Sequence, residues 1–185
     1  IDGRPTTDPD LTNRFVVTAT GGMEETGEPD VLYRNLGGTN FVEVAWTDGG
    51  FLDEDGRALM APPRDWGLAA QFCDVNDDGR PDLYISCRGE ANVLLHNDGP
   101  APGHATNHFA WHFTDVTARA GVAEPMSSFP CWFFDYDNDG RLDIFVTGYA
   151  ATVASIAADY LGQPHNGERA RLYHNNGDGT FRDVT

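Results

Sequence analysis

Four carboxylates crowd into nine residues at Asp135-Tyr-Asp-Asn-Asp-Gly-Arg-Leu-Asp143. Asp135, Asp137, Asp139 and Asp143 take the first, third, fifth and ninth places, and Gly140 takes the sixth. A close copy lies upstream in Asp74-Val-Asn-Asp-Asp-Gly-Arg-Pro-Asp82, with Asp74, Asn76, Asp78 and Asp82 at the same places. Carboxylates held this close repel one another, and a hard divalent cation resolves the repulsion; calcium is the expected ion. Ligands at places one, three and five point the same way as the chain curls, and glycine at six permits the sharp turn. The backbone carbonyl at place seven, from Arg80 or Arg141, adds an oxygen, and Asp82 or Asp143 closes the shell. Ligands that saturate an ion leave no open place for substrate, so the metal is expected to be structural rather than catalytic.

The same opening occurs in an EF-hand, which also needs a bidentate acid at place twelve and flanking helices. Place twelve is Ile85 in one loop and Val146 in the other, both in strand-like runs. The EF-hand reading fails on both counts.

The elements that must position these loops recur. Val31-Leu-Tyr-Arg-Asn35 matches Val93-Leu-Leu-His-Asn97 and Arg171-Leu-Tyr-His-Asn175, and Phe41-Val-Glu-Val-Ala45 matches Phe113-Thr-Asp-Val-Thr117 and Phe181-Arg-Asp-Val-Thr185. The order within a unit is acidic loop, strand, connector, strand, turn, strand. Approximate repeats cover 1–68, 69–130 and 131–185. The first has a truncated loop: Asp2-Gly-Arg-Pro5 aligns with the second half of an acidic loop, so a third calcium site near Asp2 lacks half its ligands. Residues 14–18 read as a strand, 21–29 as a loop, and 31–45 as a hairpin turning at Asn35-Leu-Gly-Gly38. Asp53-Glu-Asp-Gly-Arg57 imitates half an acidic loop but has no acid at the matching ninth place, which favours an exposed charged turn. Leu83, Ile85 and Cys87 share one face of a strand. Cys131-Trp-Phe-Phe134 is an apolar run expected as a buried strand. Val153, Ile156, Ala157, Tyr160 and Leu161 fall at helical spacing, and Gly162 and Pro164 stop that run, predicting a short inserted helix packed against the sheet edge.

The expectation is therefore all-β: propeller blades of four-stranded antiparallel sheets, nearly three repeats, with one short inserted helix. A closed propeller needs about four blades or more, so the chain is expected to form part of a larger propeller. A chain of 185 residues can bury a core as one segment. Its 29 acidic and 12 basic residues give a net charge of -17, which disfavours nucleic acid and anionic membrane surfaces as partners and favours cations. No apolar run reaches the length of a membrane span. No signal peptide is visible, and a start at Ile1-Asp-Gly-Arg-Pro5 fits a mature or partial sequence. Cys73, Cys87 and Cys131 form no C-x-x-C motif; one disulfide or three buried thiols both fit.

No catalytic constellation assembles. Ser86, Ser127, Ser128 and Ser155 lack a nucleophile-elbow motif. Acids are so abundant that spacing singles out no glycosidase pair. His104, His108 and His112 recur every four residues, but Pro102 and Gly103 precede them, and alternation with Phe109, Trp111 and Phe113 points to a strand. Exposed aromatics can stack on sugars, although packing between blades is their commoner use.

The acidic loops, the recurrent Leu-Tyr-x-Asn strand and the closing Asn-Asn-Gly-Asp-Gly-Thr-Phe-x-Asp-Val-Thr resemble FG-GAP/VCBS repeats, the propeller repeats of integrin α-subunits and many bacterial secreted proteins. With the insertion ending Gly162-Gln-Pro-His-Asn-Gly-Glu-Arg-Ala-Arg-Leu-Tyr173, the closest likeness is to bacterial proteins similar to cartilage acidic protein. The resemblance implies calcium between strands and an extracytoplasmic setting, whether secreted, periplasmic or cell-surface. It suits a non-enzymatic binding or assembly module for a protein or glycan partner, or a subunit of a larger assembly. A lectin-like or carbohydrate-active propeller is the alternative.

Overall fold

A computed structural model describes residues 15–17, 23–25, 30–61, 63, 67–100, 111–148 and 153–185. In chain order the strands are β1 (Phe15–Val17), β2 (Met23–Glu25), β3 (Leu32–Gly37), β4 (Asn40–Val44), β5 (Phe51–Leu52), β6 (Gly67–Cys73), β7 (Asp82–Cys87), β8 (Val93–Pro100) and β9 (Trp111–Asp115). Helix α1 (Thr117–Ala120) follows, then β10 (Ser128–Phe134), β11 (Asp143–Gly148), helix α2 (Val153–Tyr160), β12 (Arg171–Asn175) and β13 (Phe181–Asp183). The fold is all-β with short helices.

Two antiparallel sheets carry the acidic loops. One runs β6-β7-β8-β9 and the other β10-β11-β12-β13. In each, the loop joins the first strand to the second. The first sheet has a fifth strand that sequence reading missed, because β5 is only two residues long and pairs in parallel with β9 through Phe51↔Phe113. The predicted hairpin forms as β3 and β4, with Leu32 opposite Val44. The stretch read as a loop at 21–29 contains β2, which pairs with β1.

Alternation divides each strand between two cores. Leu83, Ile85 and Cys87 face Val93, Leu95 and Phe113, and meet Val44, Trp46 and Phe51 from the preceding segment. Trp46 and Phe51 have ring centroids 4.4 Å apart. Tyr84 and Leu94, on the opposite face, pack with Cys131, Ile144, Val146 and Tyr173 of the second sheet. The first sheet is thus buried on both faces, and its inner strand β7 is buried throughout. Each such side chain contributes about 1.5–3 kcal/mol from burial.

The repeated Phe-x-Asp-Val-Thr now has a structural reason. Asp115 Oδ1 accepts the amide and hydroxyl of Thr117, whose Oγ1 accepts the amide of Leu94 at 2.8 Å. Asp183 and Thr185 do the same for Leu172, at 2.9 Å for both bonds. Each motif fastens the last strand of a sheet to the third. The copy at 41–45 ends in Ala45, which cannot accept such a bond.

Two expectations need correction. Cys131-Trp-Phe-Phe134 forms a strand, but β10 is a sheet edge, and Trp132 and Phe134 are 39% and 38% exposed. Helix α2 forms where its periodicity places it, but it buries no residue, and Val153 and Tyr160 are 85% and 90% exposed. Spacing decides which residues share a helix face; it does not supply a surface for that face to pack on. Helix α1 lies between β9 and β10. The three cysteines are free thiols, so no disulfide forms among them.

Candidate metal centre

Both acidic loops curl by the same device. In the second, Asp135 accepts the amides of Asp139 at 3.1 Å and Gly140 at 2.9 Å, and Asp139 Oδ1 accepts that of Arg141 at 2.9 Å. In the first, Asp74 accepts from Asp78 and Gly79, and Asp78 from Arg80, at 2.8–3.0 Å. The sixth-place glycines, Gly79 and Gly140, have φ of 83° and 88°, which their lack of a Cβ permits. Asn138 and Asp77 two places earlier also adopt positive φ, a region Asn and Asp tolerate better than most residues.

Asp82 and Asp143 sit at the starts of β7 and β11 and are almost fully buried. A buried carboxylate must be hydrogen-bonded, and both are. Asp143 Oδ2 accepts the Tyr136 amide at 3.1 Å and Oδ1 the Asn175 amide at 2.8 Å. Asp82 accepts the amides of Val75 and Asn97 at 3.1 and 2.7 Å. These acids tie the loop to the third strand as well as closing it.

The third strand contributes residues that site reasoning passed over. His96 Nδ1 lies 2.8 Å from Asp82 Oδ1, and that hydrogen bond holds the imidazole pKa above its usual value despite partial burial. His174 Nδ1 lies 3.4 Å from both Asp137 Oδ2 and Asp143 Oδ1. The signal was present in the aligned strands, which end in His-Asn at 96–97 and again at 174–175. Asn97 and Asn175 accept the amides of Gly99 and Gly177, shaping the turn that follows.

Arg80 and Arg141, singled out for their carbonyls, act here through their side chains. Arg80 Nε donates to the carbonyl of Asn97 at 2.9 Å and Arg141 Nε to that of Asn175 at 2.8 Å. Their terminal nitrogens pair with Asp78 and Asp139. Asn76 Nδ2 donates to Asp78 Oδ2 at 2.8 Å. The Asp78 carboxyl experiences an upward push from desolvation, but the bonds from Asn76 and Arg80 outweigh it and its pKa falls.

Two groups have donor atoms within 4.8 Å of one another and could hold a metal ion: Asp135, Asp137 and Asp143, and Asp137, Asp139 and His174. Both draw on the second loop, and His174 joins the second group from β12. The chemistry of the first group, three carboxylates around a tight turn, fits a hard cation. In the first loop Asn76 stands at place three, and no comparable group of three occurs among the described residues. The half-loop at 53–57 is a turn: Asp53 Oδ1 accepts the amides of Asp55 and Arg57, and Arg57 pairs with Asp55. The incomplete copy at Asp2, with His104 and His108, lies outside the described residues.

Two of the four serines bond backbone carbonyls. Ser86 Oγ donates to the carbonyl of Phe129, and Ser128 Oγ to that of Cys87 at 3.0 Å. Burial raises the Cys73 thiol to about 11, helped by Asp74 and Asp82, and burial likewise raises Cys131. Such thiols stay protonated and unreactive at neutral pH.

A family model of an FG-GAP-like repeat matches residues 74–146. The match begins on the first residue of the first acidic loop and ends within the strand that leaves the second. No curated protein and no solved structure matches the chain. The narrower likeness to proteins similar to cartilage acidic protein therefore has no relative to support it.

Proposed function

We propose that this chain, built around an FG-GAP-like repeat at 74–146, is a calcium-stabilised β-propeller module that works outside the cytoplasm and binds another macromolecule without catalysing a reaction. The observation that carries the reading is the second loop, where Asp135, Asp137 and Asp143 bring carboxylate oxygens within 4.8 Å of one another around a positive-φ glycine. Asp135, Asp137, Asp139 and Asp143 would hold the ion there, and Asp74, Asn76, Asp78 and Asp82 in the first loop. A bound cation would offset the mutual repulsion of the loop acids. FG-GAP repeats are typically non-catalytic and extracellular, and no described helix is long and apolar enough to cross a membrane.

Calcium should raise the melting temperature and a chelator should reverse the gain. Asp139→Ala should remove much of it. An unchanged melt with and without calcium would sink the structural-metal claim, and turnover of a glycan by the intact protein would sink the non-enzymatic one.

One observation favours glycan as the partner. Tyr33, Phe72, Trp111 and Phe113 line a cavity of about 230 Å³ between the β3–β4 hairpin and the first sheet. Tyr33 and Phe72 are more than half exposed, so their ring faces are open to stacking. Saturable sugar binding lost in Trp111→Ala would support this reading.

A further inference from the structure

We propose that Asn166 is a self-processing modification site, at which His165 is the general base for cyclisation of the Asn166–Gly167 junction with loss of the side-chain amide as ammonia. The product is aspartate or isoaspartate at 166, which adds a negative charge between α2 and β12. Water is the only other reactant. The site lies outside both acidic loops and is independent of any metal bound there.

The carrying observation is the partner of one backbone amide. The Gly167 N–H donates to His165 Nδ1 at 3.0 Å. A neutral imidazole that accepts at one nitrogen carries its proton on the other. Here that other nitrogen, Nε2, stands 3.3 Å from Asp159 Oδ1, an acceptor near the end of α2. The Asp159 carboxylate thus holds the tautomer in which Nδ1 can take a proton. A Cβ at Gly167 would lie 2.8 Å from Nδ1, so the approach of the ring depends on glycine. The His165 side chain is only 14% exposed, whereas Asn166 is exposed in a segment without helix or strand.

His165 Nδ1 takes the amide proton as the Gly167 nitrogen forms a bond to Asn166 Cγ. The Cγ–Nδ2 bond breaks, and the leaving nitrogen takes the proton from His165 and departs as ammonia. Water then opens the five-membered imide at either carbonyl. A positioned base typically contributes about 10²–10⁴-fold to such a proton transfer. The second Asn-Gly pair of the chain, Asn176–Gly177, provides the internal contrast. The Gly177 amide donates to the Asn175 side-chain oxygen at 2.9 Å, and an amide oxygen is no base at neutral pH. Asn176 Nδ2 is tied to Thr180 Oγ1 at 3.0 Å.

The test is incubation of the full chain and of a His165→Gln variant at neutral pH, with samples digested over time and the peptides holding 166 and 176 read by mass spectrometry for conversion of amide to acid. In the unaltered chain Asn166 should convert while Asn176 stays intact. In His165→Gln the rate at 166 should fall about tenfold or more. Equal rates at 166 and 176 in the unaltered chain overturn the proposal, as does conversion at neither. An unchanged rate at 166 in His165→Gln also overturns it. Should that variant fail to fold, the unaltered chain incubated in urea decides. Unfolding should abolish the advantage of Asn166 over Asn176, and an advantage that persists overturns the proposal, because it then comes from the neighbouring sequence and not from the placed base.

Discussion

The side-chain Nδ2 of Asn175 donates to the carbonyl of Val75 at 2.7 Å, a hundred residues earlier in the chain. Val75 is the second residue of the first acidic loop, and Asn175 closes the strand that fastens the second. The same Nδ2 reaches the carbonyl of Leu142 at 3.0 Å, and the Asn175 amide holds Asp143. One nearly buried amide thereby joins both loops. Its repeat equivalent, Asn97, bonds the carbonyl of Pro81 within its own unit.

Asn175→Ala should therefore cost about 2–3 kcal/mol, since buried carbonyls lose their donor. In equilibrium urea unfolding the midpoint should fall accordingly. A loss below about 0.5 kcal/mol would show that the bond between the loops carries no weight.

Two glycines should fail for different reasons. A Cβ at Gly140 would meet nothing within 4 Å, so Gly140→Ala costs only the strain of positive φ, about 1–2 kcal/mol. At Gly148 a Cβ would lie 2.4 Å from the backbone carbon of Arg169, and the backbone has to move. Gly148→Ala should be the more destabilising of the pair by thermal melting.

Ile144 is fully buried between the sheets, whereas Ile156 on α2 is 55% exposed. Ile144→Ala should cost about 2–5 kcal/mol and Ile156→Ala less than about 0.5 kcal/mol. A large loss at Ile156 in denaturant titrations would mean that the helix has a packing partner after all.

Stability should decline in alkali. Burial, the main cause, raises the Tyr173 hydroxyl from 10.0 to about 12 and the Tyr84 hydroxyl well above 10.0. Folded-state values above unfolded ones mean that the native chain holds these protons more tightly. The contribution is fully present below pH 10 and is lost as pH rises through the folded values, for Tyr173 about 12. Tyr173→Phe should flatten that decline in melts recorded across the range, while losing the 2.7 Å bond to the Glu124 carbonyl.

Much of the site was legible because its information is local. Nine consecutive residues encode a loop in which Asp74, Asp78, Asp135 and Asp139 accept amides only two to five positions away, so spacing alone located Asp74 to Asp82 and Asp135 to Asp143. Alternation likewise foretold that Leu83, Ile85 and Cys87 share a face, and repetition foretold strands of similar order. The aligned Asn97 and Asn175 showed that something recurred there, but not that each holds a buried aspartate.

What lay beyond the sequence depended on which distant surfaces meet. Periodicity placed α2 correctly and said nothing of the solvent around it. A two-residue strand such as β5 has too few residues to show any pattern, and exists because Phe51 docks on Phe113. His96 and His174 hold aligned places, each followed by an asparagine, yet one is hydrogen-bonded to its aspartate and the Nδ1 of the other has no hydrogen bond. Local chain chemistry determined the acidic loops and their turns. Only tertiary packing decided that Asn175 joins them and that His174 faces the second, because those contacts join residues that sequence spacing cannot relate.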